Sequence, residues 1–543
     1  MAVPPIQAAG FRSLGRVHRL PFVLDVIVGL LTAVALPLAI VAIPNTISVV
    51  SALLPPEIAG VGILRAHGLA LPVMLCTVPL AGAALRRFPA APILVAGLAL
   101  LAVADVAGGF AGSTFGVGAL RVLHGVGAGM LVPATFAASW ERPSPARGVL
   151  MPVWAGALAV SLLAAQALAL WPLDAVTSWR VTLQPYPLLT GLALALAAVY
   201  FVLSRLTGES ADARAESARR GHLVLAAGPS VGIAVLAFGT TFNWPSGLIV
   251  AAAGLAVVML LAMACAGRIE GPGGRVLAFV MVAVGLVVLP TSAQVTYVEL
   301  GGLGGPGLSG LWAPFGLAAV IAFAAALVAG RVSDALVPKL VGGGLVTMVV
   351  GLCAVRLFVP AAWGMPLLLP FVLLTAGAAV AVTSALRGVG LRAALFGLSL
   401  CFPAVLSGFL LGTGIQVGWL RAVSSSGTVT SQAMVDGFVG ALHIWALVAG
   451  FVVVIVLVVG AVLARRLPEE SPVPSRTTPS PPEAPASAPA GTVTEPMMEA
   501  MMEPIGGERS AADPETAMIP VVPPPTRSPE GTTGEDGEGP SAR

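Results

Sequence analysis

Fourteen apolar stretches, most about twenty residues long, fill the chain between Phe22 and Leu463, and arginines stand in every second connection between them. A bilayer core about 30 Å thick takes roughly 20 apolar helical residues to cross, and backbone inside it must satisfy its own hydrogen bonds. These constraints predict an all-α polytopic membrane protein with fourteen transmembrane helices. Composition agrees, with 57% of residues hydrophobic, 10% charged and 64 glycines of the kind that let membrane helices pack closely.

Spans are expected at 23–44, 60–85, 91–111, 115–137, 149–171, 184–204, 222–241, 246–266, 276–297, 309–330, 339–359, 364–386, 393–416 and 440–463. Orientation follows from the excess of basic residues in cytoplasmic connections. Arg86 and Arg87, Arg142 and Arg147, Arg331 and Lys339, Arg387 and Arg392, and Arg465 and Arg466 fall on one side, whereas Arg180 and Arg421 fall on the other. Both termini are then cytoplasmic, which needs an even number of spans, in a multi-pass protein of the cell membrane. The basic first residues run into the first span without a small-residue cleavage site, the pattern of an uncleaved start-transfer helix. Cys76, Cys265, Cys353 and Cys401 all lie in apolar spans without paired spacing, so neither a disulfide framework nor a metal site is indicated.

From Pro468 the composition turns to Pro, Ser, Thr, Glu and Ala, with thirteen acids against four arginines, a net charge of −9. Such a segment lacks the apolar surface to offset its chain entropy, so 465–543 is expected to be a disordered acidic cytoplasmic tail, with a cytoplasmic protein as a conceivable partner. Its run from Pro496 to Pro504 is read as disordered in preference to a short contact helix. No phosphate-binding Gly-x-x-x-x-Gly-Lys loop occurs, and Lys339 is the only lysine. An ATPase is thereby excluded, and no cofactor, nucleic-acid partner or enzymatic activity is expected.

The fourth span opens with Leu120-Arg-Val-Leu-His-Gly-Val-Gly-Ala-Gly-Met-Leu-Val-Pro-Ala-Thr135, which resembles the fourth-helix motif of the major facilitator superfamily. Pro79-Leu-Ala-Gly-Ala-Ala-Leu-Arg-Arg-Phe-Pro89, containing Gly82, Arg86 and Arg87, is similar to that superfamily's gating loop. Gly330-Arg-Val-Ser-Asp-Ala-Leu-Val-Pro-Lys339 repeats it in the second half, with Gly330, Arg331 and Asp334 in place. Ser178-Trp179-Arg180 and two extra spans between the halves resemble the fourteen-span drug:proton antiporter branch. The resemblance implies a cytoplasmic N-terminus at 1–21, a six-helix bundle at 22–204, a linker at 205–221, two extra helices at 222–266, a second bundle at 276–464 and the tail. It further implies alternating access around a midplane cavity. Departures from the branch lie in the first half: Ala35 stands where an embedded acid is usual, Arg86 replaces the loop's Asp, and Ala165-Gln-Ala-Leu-Ala-Leu170 replaces the span-five signature.

Among acids outside the tail, only Asp25 and Asp105 fall within spans. Asp25 sits near the cytoplasmic mouth, where an acid is easily solvated. Asp105 and Arg121 reach similar depth, so they either pair or share a polar network with His67 and His124; the competing reading hydrates Asp105 at the outer interface. His67 and His124 are the groups that titrate near neutral pH. Gln166, Gln294 and Gln416 are cavity candidates, though a membrane glutamine also serves as interhelical glue. Arg331 and Asp334, three apart on one turn, are placed to interact or to cap neighbouring helices.

Two functions are carried forward. The first is a secondary active transporter exporting small amphipathic molecules, with proton coupling left open. The second is a transport-inactive scaffold or sensor acting through its tail.

Overall fold

A backbone that must bond to itself in lipid becomes helical, and in the computed structural model no strand occurs among the described residues. These are 19–44, 50, 54, 61–175, 178–207, 223–239, 244–267, 272–300, 305–425 and 430–465. Most of the expected cytoplasmic N-terminus, the linker at 205–221 apart from its first residues, and the acidic tail beyond Arg465 lie outside them.

The helices are α1 (Arg19–Val41), α2 (Val61–His67), α3 (Ala70–Leu85), α4 (Ala90–Gly108), α5 (Thr114–Trp140), α6 (Ser144–Ala175), α7 (Pro187–Thr207), α8 (Leu223–Gly239), α9 (Ser246–Ala266), α10 (Pro272–Leu300), α11 (Gly307–Arg331), α12 (Val337–Phe358), α13 (Leu368–Leu386), α14 (Leu391–Ser425) and α15 (Ser431–Arg465). Among the described residues, thirteen segments, with α2 and α3 joined in one, are long and apolar enough to cross a membrane; α8 supplies a shorter apolar helix, Ala227–Gly239. A correction concerns the expected external connection 417–439. Most of it is helix, because α14 continues to Ser425 and α15 begins at Ser431. Hydropathy marks only the part of a helix that matches the bilayer, and α14, at 35 residues, is about 52 Å long.

Packing reveals an internal repeat. In the first half α1 packs on α5, α6 and α7, α3 on α5, α4 on α5, and α4 on α7. In the second half α10 packs on α13, α14 and α15, α11 on α13, α12 on α13, and α12 on α15. These six pairs recur with each helix replaced by its counterpart six core helices later, while the packing of α5 on α6 in the first half and of α14 on α15 in the second departs from the repeat. The repeat extends to one device of close packing. A Cβ on Gly127 of α5 would lie 2.8 Å from the carbonyl oxygen of Gly97 on α4, and a Cβ on Gly344 of α12 would lie 2.6 Å from that of Gly377 on α13. Glycine at these positions lets two backbones meet where any side chain would hold them apart.

The halves meet asymmetrically. On one side α6 packs against α10, α11 and α13. Its counterpart α14 reaches α3, and there the two additional helices intervene: α8 packs on both α3 and α14, and α9 on α14 and α10. Along α6 and α11 the contacts run from end to end. Trp171 meets Trp312 with ring centroids 4.3 Å apart. A Cβ on Gly156 would touch the Phe323 ring at 2.9 Å, and one on Gly330 would lie 2.5 Å from Pro152 Cγ.

Gly344→Ala is therefore expected to cost about 1–3 kcal/mol of stability through overpacking. Gly228→Ala in α8, where an added Cβ meets nothing within 4 Å, serves as control and should fall within about 0.5 kcal/mol of the parent. Thermal unfolding in detergent micelles checks both.

Candidate functional site

An arginine in apolar surroundings needs company, and the motif that opens α5 supplies it by letting neighbours close in. Cβ atoms on Gly125 and Gly129 would collide with α3, at Val73 Cβ (2.8 Å) and Thr77 Cβ (2.6 Å) respectively. The end of α5 opposite the arginine-rich connections is thus drawn into a nest of helix ends. There the structure gathers His67, Asp105, Arg121 and His124, each no more than 5% exposed.

The pairing differs in detail from a direct Asp105–Arg121 contact. Arg121 Nη2 donates to His67 Nε2. His124 Nδ1 lies 2.9 Å from the Leu120 carbonyl oxygen, and its Nε2 lies 3.1 Å from Asp105 Oδ1. Asp105 Oδ2 accepts from Thr190 Oγ1 at 2.7 Å. Hydration of Asp105 at the outer surface is thus replaced by burial. Although Asp105 stands one turn from the end of α4, the 3-10 turn Trp179–Leu183 and the start of α7 cover it.

Proton positions follow from the geometry. His67 Nε2 receives the Arg121 donor, so it is the acceptor nitrogen and the ring's proton resides on Nδ1, which has no partner among the described residues. In His124, Nδ1 faces a carbonyl and must donate. Its Nε2 then either donates to Asp105 as imidazolium or accepts a proton carried by the carboxyl. In both arrangements one proton lies between ring and carboxyl. Removing it would set two lone pairs against each other at 3.1 Å.

Thr182, Tyr186 and Thr190 belong to this site although their isolated residue types carry no sequence signal. Thr182 Oγ1 sits 2.9 Å from His67 Nε2 and donates to the Trp179 carbonyl oxygen at 2.7 Å. Tyr186 donates its hydroxyl to the Leu168 carbonyl oxygen at 2.7 Å. The Ser178–Arg180 segment gains a structural role: Trp179 is buried, and Arg180 Nε donates to the Ala111 carbonyl oxygen at 2.9 Å, which fastens the turn over the cluster. A Cβ on Gly108 would lie 2.9 Å from the Leu183 carbonyl oxygen, so glycine at the end of α4 lets the turn settle. Asp105, Arg121, His124, Thr182, Tyr186 and Thr190 line a cavity of about 20 Å³ together with Leu38 and Ala169. That is room for about one water molecule.

At the arginine-rich end, Asp25 is not simply solvated. It accepts from Arg142 Nε at 2.6 Å, and Arg142, only 3% exposed, also donates to the Pro21 carbonyl oxygen. Glu141 accepts from the Ala90 backbone N–H at 3.0 Å, which ties α5 to the start of α4. In the first predicted gating loop, Gly82 is buried on α3, Arg86 is half-buried and Arg87 is exposed. In the second loop the partner of Asp334 is Arg387 Nη2 at 2.6 Å rather than Arg331, which projects outward. The 3-10 turn Asp334–Leu336 aims the carboxyl at α13, away from Arg331 at the end of α11. A cavity of about 330 Å³ opens here between the halves, lined by Trp140, Arg147, Pro152, Gly330, Thr383 and Arg387.

The three glutamines do not line either cavity. Gln166 is completely buried on α6. Gln294 of α10 packs into the space left by Gly412 of α14, and Gln416 is partly exposed. Glu299, at the far end of α10, is 1% exposed and accepts from the Ala361 backbone N–H at 3.0 Å. Among the described residues, no group of three or more metal-ligating side chains occurs.

Asp105→Leu should cost about 1–3 kcal/mol, because it strands the His124 Nε2 in a buried site, while the Thr190 hydroxyl falls back on the Tyr186 carbonyl oxygen at 3.1 Å. His124→Phe added to it should cost less than the sum of the two single changes, by roughly 0.5–3 kcal/mol. Thermal midpoints of the two single variants and the double variant test this coupling.

No family profile matches the chain, and no curated protein matches it. Among solved structures it is similar to the major facilitator superfamily proton:xylose symporter XylE bound to 6-bromo-6-deoxy-D-glucose, at 15% identity and a TM-score of 0.49, covering 81% of this chain and 95% of that one. A double-tryptophan mutant of XylE gives 14% and 0.47 over 81% and 94%. A peptide transporter POT in complex with sulfate gives 12% and 0.48 over 82% and 95%. At such values the functional reading rests on the chain's own geometry.

Proposed function

We propose that the chain is a secondary active transporter of the major facilitator type, which moves small amphipathic molecules out of the cytoplasm by alternating access. The observation that carries this reading is the repeat: two sets of six helices share one packing pattern and meet along a seam. Such a body has two ways to open, one at each end of the seam. The contacts that would have to part are separate at the two ends, Trp171 on Trp312 at one and Pro152 on Gly330 at the other. The cavity of about 330 Å³ at the arginine-rich end has the volume of a small-molecule site.

The excess of basic residues assigns that end to the cytoplasm, with both termini on the same side and the protein in the cell membrane. Export as the direction comes from the resemblance of Ser178–Arg180 and of the paired extra helices to the antiporter branch. Proton coupling is assigned to Asp105 and His124, which hold a proton between them in a buried, water-sized cavity. Arg121 lines the same cavity.

Asp334 and Arg387 join α13 to the connection after α11, and we assign them to a cytoplasmic gate. The Asp334 side chain is 91% exposed, so the pair adds little to stability. Asp334→Ala is accordingly expected to leave the melting temperature nearly unchanged while reducing transport severalfold. Normal export by this variant contradicts the gate assignment.

Proteoliposomes carrying a pH-sensitive dye test the coupling. Substrate-dependent proton flux should appear with the parent protein and disappear in Asp105→Asn and His124→Ala, while folded protein is retained. Substrate movement without proton flux removes the coupling role. No movement of any compound in a broad lipophilic panel favours the scaffold or sensor reading.

A further inference from the structure

Many hydroxyls buried in the helices of this protein satisfy themselves on the preceding turn, as Ser139, Thr296, Thr375, Ser399 and Ser407 do on the carbonyls four residues back, whereas Thr32, Ser161, Thr383 and Ser384 each leave a single hydroxyl without a partner among the described residues. Gln166 stands out against that pattern. Its side chain is 0% exposed, yet both Nε2 and Oε1 lack a hydrogen-bond partner among the described residues. A buried amide used as interhelical glue would be bonded. An unbonded one costs about 1–3 kcal/mol for each stranded group.

Its position lies where the halves meet. The carbonyl oxygen of Leu162, one turn earlier on α6, lies 3.3 Å from Ser292 Oγ of α10, a contact that crosses between the two six-helix sets and shares the hydroxyl with the Leu289 carbonyl oxygen at 3.1 Å. Ala169, three residues later, lines the cavity of the Asp105–His124 pair. Gln166 therefore stands between the seam and the proposed proton site.

The surrounding charge is equally informative. The helices that meet across the seam, α3, α6, α10, α11, α13 and α14, carry Arg, Asp or Glu only near their ends and none in their middle sections. A charged solute held midway along the seam, beyond Arg147 and Arg387 of the arginine-rich cavity, would find no opposite charge on these helices, and burying an unpaired ion is far more costly than burying a bonded neutral group. Gln166 offers two N–H donors and one carbonyl acceptor.

We infer that Gln166 is a substrate-binding residue, and that the transported class is neutral: an apolar body carrying an amide, hydroxyl or carbonyl group that meets the Gln166 amide when the seam opens. This inference rests on the transporter reading and narrows it.

Two readouts test it. Gln166→Leu replaces an unbonded amide by an apolar side chain of similar size, so the variant should melt at the same temperature as the parent or higher. If Gln166 were glue, the variant would melt lower. Transport is then measured in proteoliposomes with two probe sets, neutral (chloramphenicol, florfenicol, cycloheximide) and permanently cationic (tetraphenylphosphonium, ethidium). Movement of at least one neutral probe, at least tenfold slower in Gln166→Leu, is the expected result. Preference for the cations, or unchanged neutral transport by a Gln166→Leu variant, overturns the inference and leaves the transporter reading intact. Immobility of both sets with folded protein overturns both.

Discussion

Close approach of helix backbones at glycine is the constraint on which the rest of this structure depends. In lipid there is little hydrophobic gain from bringing one apolar helix to another, so association falls to van der Waals contact and to the few polar groups that find partners. Gly97 with Gly127, and Gly344 with Gly377, bring the central helices of each half into backbone contact. Gly125 and Gly129 do the same between α5 and α3, and that proximity delivers Arg121 to His67. The charged cluster is a consequence of packing, since without those glycines its members would stand on separate helix surfaces.

The two halves use one architecture for different ends. The first holds one buried charged cluster beneath the Trp179–Leu183 turn, at the end away from the arginine-rich connections, and the Arg142–Asp25 pair at the other end. The second keeps its carboxyl groups near its helix ends, with Asp334 on Arg387 at one end and Glu299 on the Ala361 backbone at the other. The proposed proton site lies entirely within the first half, and the proposed substrate contact lies on α6, the helix of that half that touches the second most widely. A movement that parts α6 from α10 and α11 would disturb the Ala169 wall of the proton cavity directly, which gives the two sites a physical connection.

Helix number and order were legible in the sequence because crossing a bilayer imposes a length and a composition that few other structures share. The ends of α14 and α15 were not, since helical propensity carries a chain past the membrane without any hydropathy signal. His67, Asp105, Arg121 and His124 could be grouped by depth along their spans. Which atoms pair could not, because the choice between Arg121 and His124 as the partner of Asp105 depends on helix rotation that a linear sequence does not record. Thr182 and Thr190 were invisible for a simpler reason: a hydroxyl is common in membrane helices and usually bonds its own turn. Asp334 was found by its motif, but its partner Arg387 lies 53 positions away and only packing brings it near.

The central claim is that the seam opens at one end when it closes at the other. Spin labels at Ser144 and Ser333 report the arginine-rich end, and labels at Leu188 and Met365 report the opposite end, in a variant whose four cysteines are replaced. Distance distributions measured in lipid nanodiscs at two pH values and with a transported probe should move in opposite directions at the two ends. A single unchanging distance at each end under every condition would contradict the account and leave a rigid membrane scaffold.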